Sequence, residues 1–362
     1  VGTRRAGLDE RTYADRVALC QFLPGPASSQ VGMGIGYTRA GTSGALAAWA
    51  GFTLPSALAM ILFALGIQHW GRMPEGVGHG LKVVAVAVVA QAVWGMMRTL
   101  CPGRTHRAIM LGAAMFVLAL PAAWNQLVVI LAAGAFGCFA FAGPTPRDTE
   151  TPRATTDHRA ALALLAVFAI LLAGLPLLSR VLDNATLAMV DVFYRTGALV
   201  FGGGHVMLPL LQAEVVPPGW VDSDTFLAGY GAVQAMPGPL FTFAAFLGAS
   251  ASGPVSGWSG GMLALVAIFL PSFLLVLGAL PFWDRLRGNA TARAALGGIN
   301  AGVVGLLLAA LYDPVWTSAI HTLPDLILAA AALFALTRLK APPWLVVVLT
   351  AVGGALLASL AG

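Results

Sequence analysis

The chain has 362 residues, 58% of them hydrophobic and 10% charged, where an average soluble domain has about 25% charged. Of its 20 basic and 15 acidic residues, 13 lie in two short stretches, 1–16 and 143–160, which leaves too few charges to cover a water-soluble globule. The same composition excludes a disordered chain, a coiled coil and a secreted disulfide scaffold. Cys20, Cys101 and Cys138 have neither pairing nor metal-ligand spacing.

The opening residues 1–16 are polar and carry both signs, unlike a cleavable signal peptide. Apolar segments then fall at 13–37, 44–67, 82–97, 108–120, 125–142, 161–179, 187–212, 225–250, 257–282, 296–311, 324–337 and 343–361. Several are shorter than the ~20 residues of a full span, and others are interrupted by Gly or Pro. An open sheet cannot sit in lipid, so the expected fold is an all-α polytopic membrane protein of about 10–12 membrane segments. Residues 143–160, with three prolines and five threonines, read as a polar linker between repeats at 1–142 and 161–362.

The two flanking halves repeat each other. Gln21-Phe-Leu-Pro24-Gly25-Pro26 matches Gln234-Ala-Met-Pro237-Gly238-Pro239 at an offset of 213. Gly41-Thr-Ser43-Gly44 matches Gly257-Trp-Ser259-Gly260, and Leu54-Pro55-Ser56 matches Leu270-Pro271-Ser272, both at 216; residues 127–137 match 345–355 at 218. Loop charges distinguish the copies. Arg39, Arg98, Arg104 and Arg107 have no basic counterparts in the second half, whereas Arg338 and Lys340 have none in the first. The net charge of +5 is scattered, with no basic stripe for nucleic acid, so it reads as a record of orientation. Equivalent loops are expected on opposite membrane faces, giving two inverted-topology repeats with segment 161–179 as the extra crossing. Inverted repeats with broken helices are a secondary-transporter architecture with a midplane site.

Three motifs suit that site. Proline removes a backbone donor, so each Pro-Gly-Pro must break its helix. The amides of Ala27, Ser28 and Ser29, and of Leu240 to Thr242, would then point at the break with the positive end of the helix dipole, which suits an anion. A kink alone would explain one copy; the duplication favours function. Phe201-Gly202-Gly203-Gly204-His205 either packs helices closely or leaves amides exposed as a nest for an oxyanion. His205 reads first as a hydrogen-bonded core residue and second as a proton carrier.

Intramembrane charges are few: Lys82, Asp191, Arg195 and Glu214. Asp191 and Arg195 are four apart and are expected to pair, although Arg195 could offer its planar fork to an oxyanion. Lys82 and Glu214 could snorkel to the interface, with Glu214 the alternative proton carrier. Lys82 aligns with Asn300, so that position is polar in both halves. Gly257-Trp258-Ser259-Gly260, with His321 downstream, fits an intramembrane serine protease. Its duplicate around Ser43 favours a repeated helix N-cap instead. No P-loop, metal cluster or dinucleotide fingerprint is present, so no cofactor or metal is expected.

These residues resemble the chromate ion transporters. The likeness rests on residues 18–41 with Leu54-Pro55-Ser56, on FGGGH at 201–205, on the stretch from Glu214, on 226–249 and on 300–305. It implies a multi-pass carrier of the bacterial inner membrane, and not an enzyme, that exports chromate, with sulfate as a related substrate. The partners expected are that oxyanion, the lipid bilayer and a second copy in a homodimer. From the breaks, the glycine segment and the intramembrane charges, the expected binding set is Gln21, Pro24, Gly25, Pro26, Ser28, Ser29, Lys82, Arg195, Gly202, Gly203, Gly204, His205, Gln234, Pro237, Gly238, Pro239, Thr242 and Asn300. Another inorganic oxyanion or an organic acid is the alternative cargo. The family's first half normally opens with its own F-G-G helix. Here residues 9–13 align with Asp222–Phe226 and nothing precedes them that corresponds, so this helix is expected to be missing.

Overall fold

The computed structural model describes residues 10–69, 74–120, 122, 124–141 and 158–361. Among these every regular element is helical: α1 (Glu10–Phe22), α2 (Ala27–His69), α3 (Glu75–Leu100), α4 (Arg104–Ala119), α5 (Asn125–Ala140), α6 (His158–Val181), α7 (Ala185–Leu199) and α8 (Met207–Val215). There follow α9 (Ser223–Val233), α10 (Phe243–Ser250), α11 (Gly257–Ala279), α12 (Trp283–Gly288), α13 (Ala290–Ala310), α14 (Thr317–Ala319), α15 (Leu323–Thr337) and α16 (Pro343–Ala361). Five stretches are long and apolar enough to cross a membrane: 27–69, 76–100, 158–181, 257–282 and 290–319.

Two expected boundaries move. Residues 158–160 belong to the first turn of α6, not to the linker, whose residues 143–157 lie outside the described residues. Helix α3 begins at Glu75, seven residues before the apolar run, because His79 and Lys82 in its first turns find acidic partners on α15 and α9.

As one straight rod, α2 would extend about 65 Å, twice the hydrocarbon thickness of a bilayer. It instead folds back at Ala40 (φ −146°, ψ 25°) and Gly41 (φ 63°, ψ −148°). The arms meet so closely that a Cβ on Gly36 would strike the carbonyl of Gly44. The same contact recurs where α10 turns into α11: Gly248 and Gly260 abut, and Gly257 holds φ 58°. Glycine is required at these points, because any side chain would separate backbones that touch.

Packing crosses between the halves. Helix α5 lies along α13, α16 along α3, and α2 against both α10 and α11. The core lies where the interrupted helices end and holds fully buried Phe226, Tyr230, Phe241, Phe243, Phe246 and Phe269. By contrast α6 buries only Ala161 and Leu175, and presents Leu162, Ile170 and Leu177 outward. An apolar helix exposed almost all round is stable only in lipid.

Adding a methyl group at Gly260 is expected to weaken the fold by about 1–3 kcal/mol through overpacking. Gly260→Ala should therefore lower the melting temperature in detergent, whereas Gly51→Ala, where a Cβ meets nothing within 4 Å, should not.

Candidate functional site: three helix breaks

Both Pro-Gly-Pro triplets interrupt their helices. The chain leaves helical geometry after Phe22 and resumes at Ala27; it leaves again after Val233 and resumes through a short 3-10 turn at Leu240–Thr242. A third break, at 200–203, separates α7 from a 3-10 turn at Gly204–Val206 that leads into α8. The three adjoin. The Gly25 amide donates to the Val200 carbonyl at 2.7 Å. The Cβ position of Gly204 lies 3.4 Å from Leu240 Cβ and 3.8 Å from the Phe241 ring.

Each triplet is covered by the Leu-Pro-Ser serine of the other half. Ser56 Oγ donates to the Pro237 carbonyl at 2.7 Å and lies directly on Gly238. Ser272 Oγ lies on Gly25, which holds φ 118°. There Gln30 Nε2 donates to the Pro24 carbonyl at 2.6 Å and approaches Ser272 Oγ at 3.4 Å. Proline leaves an acceptor with no partner in its own helix, and in lipid such a group must be satisfied by a neighbour.

Unpaired polar atoms remain around this junction. Among the described residues no acceptor is found for the amides of Gly202 (φ 76°) and Gly203 (φ 141°) or for those of Ala27, Ser28 and Ser29 at the start of α2. Ser29 Oγ, Gln30 Oε1, Thr53 Oγ1 and Gln234 Nε2 are buried without a partner. Thr242 is different. Its amide and hydroxyl both donate to the Pro239 carbonyl at 3.0 Å, because the chain tightens into a 3-10 turn there, so its amide is spent. His205 Nδ1 bonds the Tyr230 hydroxyl at 2.8 Å in the core. Gln21 and Ser28 are exposed beside the first break. Asn300 is half-buried on α13, one turn before Val303, whose side chain borders Gly202.

The charged residues gather elsewhere. Lys82 Nζ pairs with Asp224 at 2.9 Å in an open cavity of about 920 Å³. His79 Nε2 and Asp325, 2.7 Å apart, line the same cavity. Arg195 pairs with Asp191 at 2.9 Å, as the four-residue spacing predicts, and with Glu214 at 2.7 Å. Glu214 therefore does not snorkel to an interface: the Arg195 guanidinium draws it inward. Arg195 is held between two carboxylates, and its buried Nε has no partner among the described residues.

The Gly-x-Ser-Gly strings are not N-caps either. Ser43 and Ser259 donate to the carbonyls of Ala40 and Ser256, three residues back in the first turn, instead of accepting an amide. His321 Nε2 lies at 3.1 Å from the Ser318 carbonyl. Sequence reasoning missed Gln30 and Thr53, which lie in apolar stretches with nothing to mark them. It recorded Ser56 and Ser272 as a repeat but not as covers for the breaks.

Comparison with known proteins decides the family. The family model described as Chromate transporter matches residues 1–138 and 187–355. The chain belongs to the chromate transporter family. This transporter is 28% identical over 326 residues to a chromate transport protein of Pseudomonas aeruginosa, covering 84% of this chain and 72% of that one. It is 27% identical over 315 residues to an uncharacterized transporter of Methanocaldococcus jannaschii (83% and 74% covered). It is 24% identical over 357 residues to a probable chromate transport protein of Synechococcus elongatus (97% and 86% covered). No solved structure matches. The chain is thus a multi-pass membrane transporter and not an enzyme.

Loss of a covering hydroxyl should be felt in this transporter as a lost hydrogen bond to the Pro237 carbonyl. Ser56→Ala is expected to cost about 0.5–1.5 kcal/mol, read as a lower melting temperature in detergent. Ser259→Ala, at an exposed helix turn, should leave both stability and transport unchanged.

Proposed function

We propose that the chain is a secondary transporter that exports chromate, or a sulfate-like oxyanion, across the bacterial inner membrane by alternating access. The observation that carries this reading is the meeting of three helix breaks with unpaired amides. A tetrahedral dianion leaving water needs donors in several directions, and the amides of Ala27–Ser29, Gly202 and Gly203 supply them without moving a charge into the membrane. Ser29 Oγ and Gln234 Nε2 add side-chain donors. Gln21, Ser28 and Asn300 border the same place, and Lys82 belongs to an approach cavity.

The halves at 1–142 and 161–362 form two inverted repeats about the linker. Positive residues at 39, 98–107 and 338–340 then face the cytoplasm, and α1 with the first arm of α2 enters from that side. The hairpins α7–α8 and α9–α10 enter from the other. Contacts at matching positions in the two halves support this reading: Ser56 on Gly238 with Ser272 on Gly25, and Gly36 on Gly44 with Gly248 on Gly260. Rocking of one half against the other would open the breaks to each side in turn.

Full-length protein in vesicles should take up labelled sulfate and chromate, each competing with the other; absence of both fluxes would overturn the proposal. Gly203→Ala is the sharper test. A Cβ there meets nothing within 4 Å, yet at φ 141° it strains the backbone. Uptake is expected to fall about tenfold with the protein still folded, a change of ~1.4 kcal/mol.

A further inference from the structure

We propose that the groove between α4 and α5 binds one anionic phospholipid, with an acyl chain in the groove and the phosphate at its arginine-flanked mouth. Helices α4 and α5 both lie against α13, and the groove runs between them. It has a volume of about 460 Å³ and is lined by Thr105, Gly112 and Phe116 of α4 and by Val128, Ala132 and Phe136 of α5. Thr105 is the one polar side chain of the lining. From Thr105 to Phe116 the groove rises about 16 Å along α4, the depth of one leaflet of a ~30 Å hydrocarbon layer. Met115 and Leu131, next to lining residues, are 65% and 71% exposed, so the groove opens toward lipid.

The groove is open because its walls are small where paired helices would otherwise close on each other. A Cβ on Gly112 would meet nothing within 4 Å. The matching pair in the second half, α15 and α16, shows the closed alternative. There Leu328 reaches across to 3.0 Å from the Cβ position of Gly353. Small residues in membrane helices ordinarily serve such close approach. Between α4 and α5 they leave an apolar space that protein does not fill.

The mouth supplies the chemistry for a headgroup. Arg104 precedes Thr105 and Arg107 precedes Ala108, both of them lining residues. Both arginines are exposed, and side chains on a helix lean toward its N-terminus, so the two guanidinium groups project beyond the mouth. Among the described residues no carboxylate pairs with either. Arg107 Nε donates to the Cys101 carbonyl at 3.3 Å, which holds that side chain back over the helix start. No side chain caps this start, so the first amides of α4 present the positive end of the dipole at the same place. A phosphate oxygen can take both the planar fork and the amides. The start of α15, by contrast, is closed by its own Thr322 and Asp325.

A second copy of the chain is the other candidate for an apolar groove. A two-fold dimer across it, with its axis along the membrane normal, would set the unpaired arginines of both copies side by side at one depth. Like charges so placed repel, whereas a lipid phosphate neutralises them.

The test is native mass spectrometry of the full chain in detergent, with phosphatidylglycerol or phosphatidylcholine of identical acyl chains added. The wild type should hold one phosphatidylglycerol about tenfold more tightly than phosphatidylcholine. Arg104→Gln combined with Arg107→Gln should abolish that preference. Gly112→Leu, which fills the groove, should weaken binding of both lipids several-fold. Arg338→Gln combined with Lys340→Gln, basic residues that do not line the groove, should change neither. The melting temperature of each variant without lipid reports that it folds, and if one groove variant does not, the other decides. Equal wild-type affinity for the two lipids overturns the proposal. So does an equal loss of preference in the 338/340 variant, which would mean diffuse surface charge. A wild-type dimer that Gly112→Leu dissociates, with lipid binding unchanged, assigns the groove to a second copy and overturns it too. No flux enters these readouts, so the transport reading stands or falls separately.

Discussion

A backbone carbonyl or amide in lipid has no water to turn to, and this constraint organises the molecule. Three helices are interrupted beside the apolar core, and each interruption frees polar backbone that intact helices would have consumed. The structure meets the demand with side chains from distant parts of the chain. Ser56 reaches the Pro237 carbonyl, Gln30 reaches the Pro24 carbonyl, and the Gly25 amide reaches Val200. What remains unmet includes the amides of Ala27 to Ser29, Gly202 and Gly203.

The sequence made much of this legible, for identifiable reasons. Pro-Gly-Pro in an apolar run has one physical consequence, a broken helix, and both breaks fall where the triplets stand. Asp191 and Arg195 pair because helical spacing sets them on one face. The Leu-Pro-Ser repeat announced that two serines were equivalent. That each serves the other half could not be read from the repeat, because the interlocking is long-range packing that no local pattern encodes. Gln30 was silent for a related reason: a lone glutamine in an apolar stretch gives no hint of which carbonyl it meets. Glu214 misled because its place near a segment end suggested an interface, whereas its true partner lies on the other arm of a hairpin that only the glycine break creates.

Charge and backbone polarity play separate parts. Side-chain charge is gathered in the Lys82 cavity and in the cluster around Arg195, and each cluster is largely satisfied internally. The residues of the breaks themselves, 22–27, 200–204 and 234–240, carry dipoles and no formal charge. Under the proposed function, such a site would hold a dianion firmly enough to select it and still release it, since no opposite full charge has to be separated on departure.

The reciprocal covering of the breaks also governs how damage would spread. Ser272 belongs to the C-terminal half, yet the backbone it lies against belongs to the N-terminal half, and Ser56 is the mirror case. A lesion in one half therefore shows its symptom in the other. Neither half is a separable part: compensating changes for a defect at Gly25 should be sought some 250 residues downstream on α11, and those for Gly238 on α2. Heredity acts on such a protein as on two interlocked hands, in which a finger lost from one loosens the grip of the other.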